Sequence, residues 1–230
     1  MSRIILLSVL VFVSAGLIGS CGPRQFPTLT IYDKPAAFVR LEFDRTVKTG
    51  SEHSHPISLT PEQVAAVLGG VRIEEPRTFV QGDIPAVFSE EEIAFFAPLI
   101  AQALRQARPE EVVTFYETRY LSATRRAVTS GGLFVQGDVL HLILANYWAP
   151  VDYRADFVLS ATQDDRLMPM NSLTTHGGHL DFEPHSARWE RPTEGFERVF
   201  QSDSRDLAVL YKQLPPYRMV QPASQPVAAP

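Results

Sequence analysis

One cysteine, Cys21, is all that 230 residues contain, and that scarcity excludes an intrachain disulfide. Core packing must therefore hold the fold. There is no run of Lys or Arg either: 21 basic residues are scattered against 26 acidic ones, for a formal net charge of −5. The electrostatic footprint of a nucleic-acid-binding protein is missing, so nucleic acid is not an expected partner. Phosphate-loop, dinucleotide-binding and nucleophile-elbow patterns are absent as well. No cofactor is expected. Apolar residues make up 45 % and charged residues 20 %, ordinary values that predict a folded body with a substantial core.

The most informative stretch comes first. Arg3 is followed by a mostly apolar run from Ile4 to Gly19. At about sixteen residues it is shorter than the ~20 of a spanning helix. A charged start, a short apolar centre and a small-residue exit are the anatomy of a cleaved secretory signal. An uncleaved anchor helix, or a secreted protein cut near Ala15 or Ser20, would fit the same composition. The run ends in Ile18-Gly19-Ser20-Cys21, and these four residues resemble the lipobox of bacterial lipoproteins. The resemblance covers residues 1–20 and Cys21, about a tenth of the chain. It implies cleavage before Cys21, a diacylglyceryl thioether on that cysteine and, as a rule, a third chain on the new amine. Each buried CH₂ contributes about 0.8 kcal/mol, so two or three chains hold far more firmly than one. Gly22 stands where an Asp would signal retention in the inner membrane. The resemblance thus implies lipid anchoring in the outer membrane, on the periplasmic side, with the bilayer and other envelope proteins as partners.

After a lipidated Cys21 and a short linker to Thr28, the spacing predicts a single globular domain over residues 29–214. Leu29–Tyr32 and Phe38–Phe43 read as strands, and in the second Phe38, Arg40 and Glu42 alternate with Val39, Leu41 and Phe43. Residues 45–57 are polar and predict a loop. Thr60-Pro61-Glu62-Gln63 and Ser89-Glu90-Glu91-Glu92 are capping boxes, which place helices over 60–69 and 89–107. Gly69-Gly70 is expected to stop the first, and Pro98 to kink the second. Val112–Leu121 reads as a strand, and Thr129–Val135 and Val139–Trp148 as a hairpin around Gln136-Gly137-Asp138. Leu140–Ala145, apolar on both faces except for His141, predicts a covered central strand. A further strand is expected at Asp156–Ala161 and a last helix at Ser202–Leu214. Pro215–Pro230, with five prolines and no apolar period, reads as a disordered tail. Phe79–Ile84 nearly repeats at Phe134–Val139, one turn type used twice. The expected class is α+β: an antiparallel sheet of about five or more strands packed by two or three helices.

Chemistry-bearing residues gather in one place. His176 precedes His179-Leu180-Asp181-Phe182-Glu183-Pro184-His185, in which every second residue from His179 is a metal ligand or an acid/base. In an extended chain, period two puts His179, Asp181, Glu183 and His185 on one face and turns Leu180 and Phe182 into the core. Imidazole with carboxylate is transition-metal chemistry, and His53 and His55 could add ligands. The same alternation describes any half-exposed strand. Ser172 with His176 or His179 would be the material of a serine hydrolase, but triads are defined by geometry rather than sequence proximity. Tyr147 and Trp148 are aromatic enough to mark a partner groove or simply to pack. The expectation is a membrane-anchored envelope lipoprotein, a non-enzymatic periplasmic binding or assembly factor. The alternative is a metal-binding protein or metal-dependent hydrolase built on residues 176–185. Cys21→Ser is expected to leave an unprocessed precursor and abolish labelling by a clickable fatty acid; labelling that survives would overturn the lipoprotein reading.

Overall fold

The computed structural model describes residues 27–74, 84–152, 165–174, 178–190 and 205–217. The expected signal peptide with Cys21, the expected strand at Asp156–Ala161, and His176 lie outside the described residues.

β1 (Pro27–Lys34) and β2 (Ala37–Phe43) form a hairpin at one side of a six-stranded antiparallel sheet. β2 pairs in turn with β4 (Glu111–Ser122), which continues through β5 (Arg125–Gln136) and β6 (Val139–Asp152) to β8 (Asp206–Val209). Between β2 and β4 the chain makes helix α1 (Pro61–Gly70), strand β3 (Val71–Glu74) and helix α2 (Glu90–Gln106). β3 pairs with β7 (His179–Phe182) in a small second sheet, and its Arg72 also bridges to Ala86. The class is sheet-dominated α+β with two helices. Among the described residues no helix is long and apolar enough to cross a membrane.

Local signals explain both helices. Thr60 accepts from the Gln63 amide while the Gln63 side chain returns to the Thr60 amide, at 3.2 and 2.9 Å; Ser89 and Glu92 repeat the exchange. Each box satisfies two donors that a helix start leaves open. α2 runs on through Pro98 and buries Ile93, Phe96, Ala97, Ile100 and Leu104. Phe96 meets Phe115 of β4 edge-on at 5.8 Å, and Phe95 meets Tyr32 of β1 at 5.2 Å. On the sheet, Val39, Leu41, Val113, Leu133, Val135, Leu140 and Leu142 complete this core.

The other face of the sheet is buried too, but it is polar. Arg40, Glu42, Thr114, Tyr116, Ser130 and Asn146 are all at most 5 % exposed. A strap, residues 165–174, lies over them and supplies partners. Tyr116 donates to Asp165 at 2.8 Å, and Arg126 bridges to the same carboxylate at 2.9 Å. Arg40 Nε holds Glu42 Oε1 at 2.8 Å, and a second guanidinium nitrogen of Arg40 donates to the Arg166 carbonyl. Ser130 donates to the Pro169 carbonyl, and Asn146 spans the Asn171 carbonyl and the Leu173 amide, at 2.7 to 2.8 Å.

Two expectations are corrected here. Ser202–Leu214 is not a helix among its described residues: Asp206–Val209 is strand β8 and Tyr211–Gln213 a single 3₁₀ turn. Leu207, Leu210 and Leu214 fit a helical period, but Leu207 and Val209 also fit a period of two, and β6 offers an open edge to pair with. The expected disordered tail is contradicted at its start, where Tyr217 packs on the core beside Gly69. The two glycines do not end α1 by adopting a left-handed conformation; they are its last helical residues and serve close approach. A Cβ on Gly69 would lie 2.7 Å from the Tyr217 ring. One on Gly70 would meet the Phe182 ring and lie 2.6 Å from the Glu183 carbonyl oxygen. Alanine normally stabilises a helix interior by about 1 kcal/mol over glycine. Gly70→Ala is expected to do the reverse and cost about 1–3 kcal/mol in urea unfolding, because the carbonyl it meets is backbone. A gain in stability would contradict the packing described.

Candidate functional site

The His179–His185 stretch follows the predicted alternation for four residues and then turns. In β7, Leu180 and Phe182 are buried, His179 is exposed and Asp181 is half-buried. After Phe182 the chain passes Glu183-Pro184 into a 3₁₀ turn at His185–Ala187, so His185 leaves the strand. That turn carries His185 back over Asp181, with Nδ1 3.5 Å from Oδ1. Asp181, Glu183 and His185 then line one open cleft of about 650 Å³ together with Arg72 and Ile84–Ala86. His179 sits across from Glu74 and is not among its lining residues.

Electrostatics decide what that cleft can hold. Arg72 takes Glu183 Oε2 with Nε and Nη2 at 3.1 and 3.0 Å. Arg188 takes Asp181 Oδ1 at 2.7 Å, and the Phe182 amide donates to the same oxygen at 2.8 Å. A metal would have to displace arginines from both carboxylates. Among the described residues, no three or more His, Cys, Asp or Glu side chains are grouped to hold an ion. Ser172 turns its hydroxyl to the Thr174 carbonyl at 2.7 Å, an exposed local turn rather than an approach to a histidine. His53 and His55 do not join the cleft.

Those two histidines belong to a different place. His53, His55 and His141 are 6 %, 6 % and 3 % exposed. His53 stacks on Phe134 of β5 at 4.3 Å, and Phe134 stacks on His141 of β6 at 4.7 Å with ring planes only 6° apart. Phe134 and His141 stand on the polar face of the sheet, where β5 and β6 pair them. His53 reaches the stack from the loop after β2, which is pinned by its amide on the Pro109 carbonyl and by the Ser54 amide on Val135. His53 Nε2 lies 3.1 Å from Asp44 Oδ2. This bond, with lesser help from Thr46, holds the Asp44 carboxyl down to about 2. With Asp44 ionised, His53 Nε2–H is the donor of this bond. His55 accepts from the Val135 amide through Nε2 at 3.2 Å, which leaves its own proton on Nδ1. Burial, then the neighbouring His53 ring 5.5 Å away, push His55 down to about 4.

Beside this stack the polar face opens. Phe43, Asp44, Val47, His53, Phe134 and Met170 are among the residues around a cleft of about 340 Å³. No sequence pattern joins Asp44 to His53, and the His-x-His spacing points to metal ligation rather than to a carboxylate–imidazole pair. The only sequence signal was the presence of two histidines in a loop between apolar segments. At the other end of the sheet, Trp148 is 42 % exposed with φ of 47°, and the Arg119 guanidinium lies 5.2 Å over its ring; Tyr147 packs against the core. Arg119 also holds Glu92 at 2.9 Å and Glu117 at 3.2 Å. Burial and the adjoining Glu92 carboxyl raise Glu117 to about 7.

Comparison of the chain with known protein families, with curated proteins and with solved structures found no match.

Because the unfolded chain binds a proton at His55 near pH 6.5 and the folded one only near pH 4, this histidine's contribution to stability is complete above 6.5. It is lost progressively as the pH falls to 4. The shift corresponds to about 3 kcal/mol. His55→Gln is expected to flatten the stability profile between pH 7 and 4 by about that amount, read by urea unfolding at each pH. An unchanged slope would show that His55 does not titrate in a buried site.

Proposed function

We propose that the protein is a lipid-anchored envelope lipoprotein that acts without catalysis, as a binding or assembly factor held at the periplasmic surface of the outer membrane. The observation that carries this reading is the distance between anchor and fold. Cys21 is the acylation site that Ile18-Gly19-Ser20-Cys21 resembles, and β1 already begins at Pro27. A chain of that length reaches at most about 20 Å when extended. The Pro27 end of the sheet, where Phe43 lies beside it, therefore works within that distance of the bilayer, and the β4–β5 turn points the other way. A short tether also raises the local concentration of any envelope partner anchored in the same membrane.

The geometry of the residue 179–185 cleft favours binding over hydrolysis. Its carboxylates are ion-paired, Glu183 with Arg72 and Asp181 with Arg188. The test is crosslinking of the anchored protein in its own cells. A defined set of envelope proteins should be recovered with the wild type and lost when residues 22–230 are exported in soluble form behind an ordinary cleavable signal peptide, with no lipid attached. Recovery of the same set by the soluble variant would sink the role of the anchor, and recovery of none by either would sink the assembly role.

A further inference from the structure

A short tether brings one definite part of a fold to a membrane. β1 begins at Pro27, so its first residue lies within about 20 Å of an acylated Cys21. Pro27 pairs with Glu42, the residue before Phe43, and Phe43 pairs in turn with Glu111 of β4. Leu29 stands opposite Leu41, and a period of two puts Phe43 on the same side as that pair. Leu41 is 1 % exposed, but Leu29 is 40 % and Phe43 48 % exposed. Large apolar side chains scattered singly over a surface need no explanation. These two share one side, one strand pair and the end of the sheet that the tether enters. The charges beside them are sorted. Phe43 leads into a turn whose Arg45 and Lys48 are exposed and form no ion pair among the described residues. The acids nearby are engaged or set back: Asp44 with His53 and Thr46, Glu52 with the Gly50 amide, Glu111 with the Arg108 amide, while Glu110 is half-buried.

We propose that this end of the sheet docks on the bilayer itself, with Leu29 and Phe43 in the interfacial layer and Arg45 and Lys48 on lipid phosphates. Apolar side chains that reach the acyl boundary, flanked by cations that meet the headgroups, are how a folded body lies on a membrane. The inference rests on the anchored reading and adds to it a surface and an orientation. Docked in this way, the sheet stands away from the membrane. The 12 residues of β4 carry the β4–β5 turn about 40 Å further out, at roughly 3.3 Å per residue. The anchor alone would leave the body free to tumble within its tether; the patch fixes which end faces the lipid.

The test couples the mature chain, residues 21–230, through the Cys21 thiol to a maleimide phospholipid. The vesicles are phosphatidylcholine with phosphatidylglycerol, with or without brominated acyl chains. Phe43→Trp places an indole in the patch and Leu121→Trp places one at the far turn; Trp148 and Trp189 of the wild type give the baseline. Attachment should shift the added emission of Phe43→Trp to shorter wavelength, and brominated chains should quench it. The added emission of Leu121→Trp should do neither. If circular dichroism shows Phe43→Trp unfolded, Leu29→Trp reports on the same patch. Arg45→Glu with Lys48→Glu should at least halve the quenching of the patch indole, because two phosphate contacts become repulsions. Emission from the patch that stays as in solution overturns the docking, and so does equal quenching at both ends. Quenching untouched by the double charge reversal overturns the phosphate contacts. A blue shift that appears only at high surface density, without bromine quenching, assigns the patch to a second copy of the chain instead. The linkage is made chemically, so none of these outcomes depends on acylation in cells. Loss of the anchored reading would show separately, as fatty-acid labelling that does not require Cys21.

Discussion

A charge can be buried in this sheet only because another segment arrives to meet it. Arg40 and Glu42 in β2 and Arg126 in β5 would each cost several kcal/mol if taken from water without partners. The strap at 165–174 supplies Asp165 and a row of carbonyls, and the polar face becomes a second interior. Glu42 marks the limit of that compensation. Its Oε2 has no partner among the described residues, and burial raises its carboxyl despite Arg40. Such pairs are weak contributors to net stability, since apolar residues could fill the same space. What they do is set position. Sliding the strap by one residue would take Asp165 away from both Arg126 and Tyr116.

The two faces therefore differ in kind. Towards the helices, packing is apolar and non-directional, and α1 and α2 adapt to it through Phe96 and the close approach at Gly70. Towards the strap, contacts are directional, and coverage stops where the bonding groups stop. The small cleft at Phe134 and Met170 is the uncovered remainder of that face.

What could be read from the sequence follows from this difference. Both helix starts were legible because a capping box is written within four residues, and β2 was legible from its alternation. The fate of β2's polar side was not. Arg40 and Glu42 look like a solvent face, and the segment that buries them lies more than 120 residues further on. The stretch from His179 shows the same limit in reverse. Its period predicted the burial of Leu180 and Phe182 correctly, but Arg72 and Arg188, which occupy its carboxylates, come from other elements. Asp44 with His53 escaped notice because nothing local links a strand end to a loop histidine. The region around Leu207 was misread for a simpler reason: four residues carry too few periods to separate a strand from a helix.

β1 lies at the outside of the six-stranded sheet, paired with β2 alone, and its pairing is broken twice, between Pro27 and Leu29 and between Thr30 and Tyr32. An edge strand that keeps a regular ladder offers a template to any identical neighbour. Irregular register removes that template, and Pro27 lacks an amide to donate. The broken ladder of β1 is thus a guard against sheet-to-sheet fusion, placed at the edge through which two copies of the chain would otherwise join.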